Sequence, residues 1–253
     1  MRIVHTSDWH IGHKLYEQSR TEEHQQFLEW LLKLIKDENI NLLLVSGDIF
    51  DSALPSAESI ELYYKFLFRL YEETSASAVI IAGNHDSAVR LSAPRQFLEM
   101  ARINVIGKLP NQISGCVINK NGVYIIALPY IPEGEILSHV SFENQIDVAL
   151  RYREAIKKIY YQCITQIPPG YPTILMGHFF VAGGEESGSE RTIQIGGTQS
   201  IRTVDLPKDI CYAALGHIHR PQQLKNTEFP IIYSGSPLPM TFIISVVGTS
   251  LSG

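Results

Sequence analysis

Apolar residues in this chain follow two rhythms. Short unbroken runs at Ile3 to Thr6, Leu42 to Ser46 and Val79 to Ala82 have the length and β-branched content of buried strands. Between them, apolar positions recur every three or four residues. Phe27, Leu28, Leu31, Leu34 and Ile35 form such a stripe in a helix expected over Thr21 to Glu38, whose early Glu22 and Glu23 suit the positive end of the helix dipole. A second helix, expected over Ala57 to Glu73, carries Ile60, Leu62, Tyr63, Tyr64, Phe66, Leu67, Phe68, Leu70 and Tyr71. That is more apolar surface than one sheet contact needs, so a second cover is expected. It is either another element of the same subunit or a partner, and the reading taken is a homodimer through this helix and the stretch from Val89 to Ala101. Strands alternating with helices predict βαβ units on a helix-covered sheet.

After Ile106 the rhythm changes. Runs at Cys116 to Ile118 and Val123 to Leu128 flank Lys120-Asn121-Gly122, and Asn-Gly between strand-forming runs is a strong hairpin signal. A second sheet is expected to begin there. Val148, Tyr152, Ile156, Ile159 and Cys163 keep helical spacing until Pro168-Pro169-Gly170 stops the helix. Runs at Thr173 to Met176, Tyr212 to Leu215 and Ile231 to Tyr233 then complete a mixed sheet. Gly183 to Gly197, rich in glycine, serine and glutamate, reads as a flexible loop. The fold class expected is α/β, with residues 1–242 as one domain and 243–253 as a short tail.

Five polar islands punctuate the pattern: Ser7-Asp8-Trp9-His10, Gly47-Asp48-Ile49-Phe50-Asp51, Gly83-Asn84-His85-Asp86, Gly177-His178 and Gly216-His217-Ile218-His219. Each follows a strand-forming run, where a strand hands its last residue to a loop. Asp8 and His10 are two apart, as are His217 and His219, and in an extended segment such pairs point the same way and can share a cation. Asp48 ends the next strand, and its two oxygens suit a bridge between ions ~3.5 to 4 Å apart, the spacing of two-metal phosphoryl-transfer sites. Asn84 adds a carbonyl oxygen and His178 an imidazole. Oxygen and nitrogen ligands without thiolate fit two divalent ions, Mn²⁺ first, with Mg²⁺, Fe or Zn²⁺ as alternatives, better than Ca²⁺. Taken singly, Asp48 reads equally as a turn cap and His178 as a satisfied core histidine; the ordered set carries the signal.

Composition narrows the picture. A 45% hydrophobic content provides for a core, and the net charge of −5 argues against gripping nucleic acid by bulk positive charge. Cys116, Cys163 and Cys211 form no CxxC pair, so neither a disulfide framework nor a zinc finger is expected, and a reducing cytoplasm fits. The motif beginning at His5 leaves no room for a signal peptide, and no run reaches the ~18 apolar residues of a membrane span, so a soluble protein is expected.

The ordered set D-x-H, G-D-x-x-D, G-N-H-D, G-H and G-H-x-H resembles the calcineurin-like metallophosphoesterases. Longer stretches, His5 to Gly12, Ser46 to Asp51, Ala214 to Arg220 and Ser234 to Pro239, resemble the SbcD nuclease-subunit family, a likeness covering about residues 1–242. The resemblance implies a four-layer α-β-β-α sandwich of two mixed sheets flanked by helices. It implies one metal at Asp8, His10, Asp48 and His219 and a second at Asp48, Asn84, His178 and His217, with His85 as the catalytic residue that is not a ligand and Asp86 placed to orient it. It further implies a DNA exonuclease and single-strand or hairpin endonuclease of repair and recombination, a homodimer working with an SbcC-like ATPase. No GxxxxGK[ST] loop occurs, so any ATP dependence resides in that partner. The family continues past Ser-Gly-Ser-Pro into a cap and a segment that docks on the ATPase, which Ile243 to Gly253 does not match. A cyclic-nucleotide or other small-molecule phosphodiesterase of the same fold is the alternative. A phosphoprotein substrate is disfavoured because Ser52 stands where protein phosphatases carry arginine.

Trp9, Lys14, Tyr16 and Arg20 follow the first ligands, where aromatic and basic groups suit contact with a DNA strand; equally, Trp9 packs beneath the site. Arg90, with Arg95, Arg191 and Arg202, is a further phosphate contact or an ordinary surface charge. His5, His13, His24 and His139 fit no ligand spacing and read as structural, and Asp51 reads as support for a ligand or as a turn cap.

Overall fold

A computed structural model of the protein describes residues 1–132, 134–136, 148–190 and 201–240. The first sheet joins β1 (Ile3–Thr6), β4 (Leu42–Ser46), β5 (Ser77–Ile81) and β6 (Ile103–Ile106) in that order, with every pairing parallel. Parallel neighbours need crossovers, supplied by α1 (Thr21–Asp37), α2 (Ala57–Glu73) and the short pair α3 (Ala88–Ser92) and α4 (Arg95–Met100). Between β1 and α1 a small hairpin, β2 (Lys14–Leu15) and β3 (Gln18–Ser19), turns through Tyr16 and Glu17, both with positive φ.

The second sheet runs β11 (Gln222–Gln223), β12 (Ile231–Tyr233), β10 (Tyr212–Gly216), β9 (Thr173–His178), β8 (Val123–Ala127) and β7 (Val117–Lys120), antiparallel at both edges and parallel between. The second sheet is mixed as expected, whereas the first is wholly parallel, because each consecutive pair of its strands is joined through a helical crossover rather than a tight turn. The Asn-Gly hairpin is present: Asn121 and Gly122 have φ of 52° and 85°, the twist a two-residue loop needs, and Gly122 N–H donates to Asn119 Oδ1 at 3.0 Å. The stretch from Val148 forms α5 (Val148–Ile164).

Strand period two sorts the core into three layers. Leu42, Leu44, Val79 and Ile81 point inward against Ile125, Ala127, Ile174, Met176 and Ala214 of the second sheet. Their neighbours Leu43, Val45, Ala78 and Ile80 point outward under α1 and α2, where Leu28, Leu31, Ile35, Tyr63, Phe66 and Leu70 close the layer. Ile126, Leu175, Ala213 and Leu215 face Tyr152, Ile156, Ile159 and Tyr160 of α5. Each such fully buried aliphatic contributes on the order of 1.5–3 kcal/mol. The four layers are helix, sheet, sheet, helix.

α2 is buried on one side only: Tyr63, Phe66, Leu67 and Leu70 are covered, while Phe68 and Tyr71 are exposed. Among the described residues, no helix is long and apolar enough to cross a membrane. His139, Arg191, the last part of the expected Gly183 to Gly197 loop and the 243–253 tail lie outside the described residues.

Candidate metal centre

β1, β4 and β5 of the first sheet and β9 and β10 of the second all deliver their C-terminal ends to one edge of the sandwich, each with one polar island. Glycine lets the islands converge. A Cβ on Gly83 would overlap the Asp48 carboxylate and amide, and one on Gly216 would overlap the Ser46 carbonyl. The segment after β1 is tied to the one after β4 by Asp8 N–H to Gly47 O at 2.9 Å, His10 N–H to Asp48 O at 3.0 Å and Ile11 N–H to Ile49 O at 2.9 Å.

The paired spacing acts through a different geometry from the one expected. Asp8, His10, Asp48 and His217 have φ of 54°, 48°, 51° and 97°, so these segments are left-handed rather than extended. Such φ values are costly for non-glycine residues, by about 1–3 kcal/mol each, and cluster where a side chain must be aimed. Here the surrounding ladder bonds hold the strained residues in place.

Asp8, His10, Asp48 and His219 are all buried, and one ligand atom from each lies within 4.8 Å of the others. His10 Nε2 faces His219 Nε2 at 3.1 Å and Asp48 Oδ2 at 3.6 Å. On the other side of Asp48, His178 Nε2 lies 3.3 Å from Oδ2 and 2.9 Å from Asn84 Oδ1, and the His217 ring lies 5.5 Å from that of His178. Asp48 thus stands between two groups of donors. Two carboxylates, one amide oxygen and four imidazoles make a donor set that fits two hard-to-borderline divalent cations.

Charge in this buried cluster is balanced internally. Burial pushes the Asp8 carboxyl up to about 6 against the pull of His178. Burial likewise opposes the Asp48 carboxylate, yet the charges of His178 and His10 hold it below the ordinary carboxylate range. At His178 burial acts downward, and Asp48 overrides it to lift the imidazole to about 9. Burial lowers His217 to about 3 and His219 to about 4, so both stay neutral, the form that ligates metal.

His85 sits at the rim, its ring 4.7 Å from that of His10. Its amide donates to Asp48 Oδ1 at 2.9 Å, and its Nδ1–H donates to the Asp51 carbonyl at 2.8 Å. Asp51, not Asp86, therefore orients the ring. The Asp86 carboxylate instead accepts the amides of Gly83, Ile49 and Phe50 at 2.8, 3.1 and 3.0 Å, which pins two of the ligand loops together. The Asp51 carboxylate also lies 3.0 Å from His13 Nδ1, so His13 belongs to the support of the site.

The expected DNA contacts divide. Trp9 is fully buried, its indole donating to Thr6 Oγ1 at 3.0 Å and packed edge-on against Phe27 and Phe66, so it is core. Arg20 is also buried, forked onto Glu23 and bonded to the Pro239 carbonyl, so it is a clamp rather than a phosphate contact. Lys14, Tyr16 and Arg90 are exposed. His24 bridges Arg20 O and Trp9 O, in keeping with its structural reading.

Three serines near the site carry no sequence expectation. Ser7 Oγ donates to Asp8 Oδ2 at 2.5 Å and meets Ser234 Oγ at 2.7 Å, while Ser236 Oγ donates to the Asp8 carbonyl at 2.8 Å. The Ser-Gly-Ser-Pro segment was the available signal, but only tertiary structure brings it to Asp8, more than two hundred residues away. The Gly183 to Gly197 stretch also differs from expectation: its first part is tied to the site through Ser189 and Glu190.

Similarity to known proteins agrees with this geometry. The chain is 35% identical over 247 residues to the SbcD subunit of nuclease SbcCD from Bacillus subtilis (strain 168), covering 96% of this chain and 63% of that protein. It is 33% identical over 250 residues to the Escherichia coli (strain K12) protein of the same name, covering 96% and 62%. The chain thus spans less than two thirds of the length of these relatives. In fold it is similar to TT1561 of Thermus thermophilus, with a TM-score of 0.55 at 11% identity over 92% of this chain and 88% of that one. A dimetal phosphatase from Danio rerio superposes with a TM-score of 0.53 at 10% identity over 92% and 86%. Residues 1–221 match the calcineurin-like phosphoesterase family, and with that match spanning all five polar islands the chain belongs to it.

Proposed function

We propose that this chain is the nuclease core of a DNA-processing enzyme, a Mn²⁺-dependent phosphodiesterase that degrades duplex ends and cuts single strands and hairpins. It works in the cytoplasm, in repair and recombination, beside an SbcC-like ATPase. The observation that carries the reading is the buried Asp8-His10-Asp48-His219 cluster beside His85, in a chain 96% of which aligns with nuclease subunits. Asp8, His10, Asp48 and His219 would hold one ion, and Asp48, Asn84, His178 and His217 the other.

When bound, two such ions supply a hydroxide at neutral pH and neutralise charge on the reacting phosphate. The protein does the rest. Asp51 O fixes the proton on His85 Nδ1, leaving Nε2 to carry a second proton toward the departing oxygen. The His85 amide on Asp48 ties that proton donor to the ligand cluster, so the donor is held in a fixed position relative to the residues that would hold the ions. No covalent protein intermediate is required. Exposed Lys14 and Tyr16 on the small hairpin, with Arg90, are the groups offered to the DNA strand.

A homodimer completes the reading. Phe68 and Tyr71 of α2, Val89 of α3 and Phe97 and Met100 of α4 are exposed apolar groups. Arg102 stacks on Tyr71 at 4.8 Å and donates to the Tyr71 carbonyl at 3.0 Å, bringing the C-terminal ends of α2 and α4 together. Apolar surface of this kind suits a two-fold contact.

The test is to incubate the protein and Mn²⁺ with labelled blunt duplex, single-stranded and hairpin DNA, and separately with a cyclic nucleotide. DNA cleavage that stops on chelation is expected. Turnover of the cyclic nucleotide with all DNA left intact would assign the centre to a small-molecule phosphodiesterase.

A further inference from the structure

The described part of the loop following β9, which runs to Glu190, has the composition of a flexible tether but is fixed at both of its ends. At its start, Glu185 N–H donates to Gln222 Oε1 at 2.8 Å, Gln222 Nε2 returns a bond to the Glu185 carbonyl at 2.8 Å, and Arg220 pairs with the Glu185 carboxylate at 2.7 Å. At its far end the Glu190 carboxylate gathers the amides of Ser187 at 2.9 Å and Gly188 at 2.8 Å. It also accepts the backbone N–H of His219 at 3.0 Å. The loop therefore closes on a residue of the metal centre.

The side chains form a row whose direction follows from one fact: a carboxylate only accepts. Ser187 Oγ lies 2.9 Å from Glu190 Oε1 and must donate to it. Having one proton, Ser187 then accepts from Ser189 Oγ at 2.7 Å. Ser189 has spent its own proton in turn, so it accepts from His219 Nδ1–H at 2.7 Å. The row reads His219 to Ser189 to Ser187 to Glu190. It fixes the proton on Nδ1 and leaves Nε2 bare, and Nε2 is the nitrogen that faces His10 Nε2 and the cluster. Outer hydrogen bonds of this kind set the tautomer and ring orientation of a ligating histidine.

We infer that Ser187, Ser189 and Glu190 are positioning residues for the metal ligand His219, setting its tautomer through a directed serine–serine–carboxylate row and its backbone through Glu190. The inference rests on the metal-centre reading above. His178 is held separately, by the Ser46 carbonyl on Nδ1 at 2.8 Å. The effect is therefore confined to one of the two ions.

Calorimetric titration of the metal-free protein with Mn²⁺ decides the matter. Wild type takes up two ions. Ser189→Ala and Glu190→Gln each weaken one binding event by about 10–100-fold and leave the other unchanged. Ser189→Thr, which keeps the hydroxyl, restores the affinity, and Glu186→Gln, which removes an exposed charge from the same loop, has no effect. Because the row acts as one unit, the Ser189→Ala/Glu190→Gln double variant loses little more than the worse single variant. Unchanged titrations in both single variants overturn the inference. So does equal weakening of both ions with a lower melting temperature of the metal-free protein, which would make the loop a fold element only. A wild type that takes up no Mn²⁺ would sink the centre itself, and this inference with it.

Discussion

The strand-end cluster and the outer face of α2 and α4 depart from the usual inside–outside rule in opposite directions. At the strand ends Asp8, His10, Asp48, His178 and His217 are at most 2% exposed, although all are ionisable. On the helical face Phe68, Phe97 and Met100 are 64%, 78% and 81% exposed, although all are apolar. The buried charges have partners inside the chain: Asp48 faces His178 and His10, Asp8 accepts the His217 amide, and Asp86 gathers three amides. Such a cluster is tolerable because each charge is offset within a few ångströms, and two small cations would complete it. The apolar face lacks such internal compensation, and only another surface of similar size can cover it. The first region is organised by charge and orientation, the second by area.

The largest effect should separate chemistry from metal binding at the strand ends. His85→Ala is expected to lower the rate of DNA cleavage by about 10²–10⁴-fold, the range for losing a positioned proton donor. Mn²⁺ binding should be unchanged, since alanine keeps the amide that donates to Asp48 Oδ1. Parallel calorimetry and cleavage assays read both quantities. Equal losses of affinity and activity would make His85 a ligand.

A smaller effect tests whether close backbone approach builds the cluster. Gly83→Ala should cost about 1–3 kcal/mol of stability, because its Cβ meets Asp48 where no flexible side chain can yield, and it should weaken Mn²⁺ uptake as Asp48 moves. Gly170, with φ of 87° and nothing near its missing Cβ, is the counterpart outside the cluster. Gly170→Ala should cost about 1–2 kcal/mol through its left-handed backbone alone and leave Mn²⁺ uptake intact. Denaturant unfolding with Mn²⁺ titration distinguishes the pair. Equal metal binding in both variants would remove the crowding argument.

This contrast also explains what sequence could reveal. The ligands are legible because each follows a strand-forming run at short range, and strand ends in α/β sheets are where chains present functional groups. The Asn-Gly hairpin and the α2 boundaries are local signals too, and both are found in the structure. Roles set by tertiary approach are not legible. His85 meets the Asp51 backbone carbonyl while the loop amides take the Asp86 carboxylate, and Glu190 reaches His219 across 29 residues. Trp9 and Arg20 show the same limit: an aromatic and a basic residue near a site look like ligand contacts until their burial is known. Left-handed φ at Asp8 and His10 replaced the extended geometry that their spacing implied, because alternation describes strands and these residues lie beyond one.

The smallest effect on the single chain, and the sharpest on its assembly, is expected on the outer helical face. Phe97 and Met100 stand on α4 with little of their surface covered, so Phe97→Asp with Met100→Asp removes few contacts within the subunit. Surface changes of this kind usually alter monomer stability by no more than about 0.5 kcal/mol. An interface is a different matter. Stable two-fold contacts bury roughly 800 Å² per partner, and their centres are enriched in aromatic residues and methionine and poor in charge. Four carboxylates would then meet near one axis, two from each subunit, and be stripped of water without partners. Sedimentation at micromolar concentration should therefore show a dimer for the wild type and a monomer for the variant, with melting temperatures that nearly coincide once dissociation is allowed for. The strand-end cluster predicts the complementary result for His85→Ala, which should remain dimeric while losing activity. A wild type that sediments as a monomer would leave the apolar face without a second copy to cover it, and the homodimer would have to be given up.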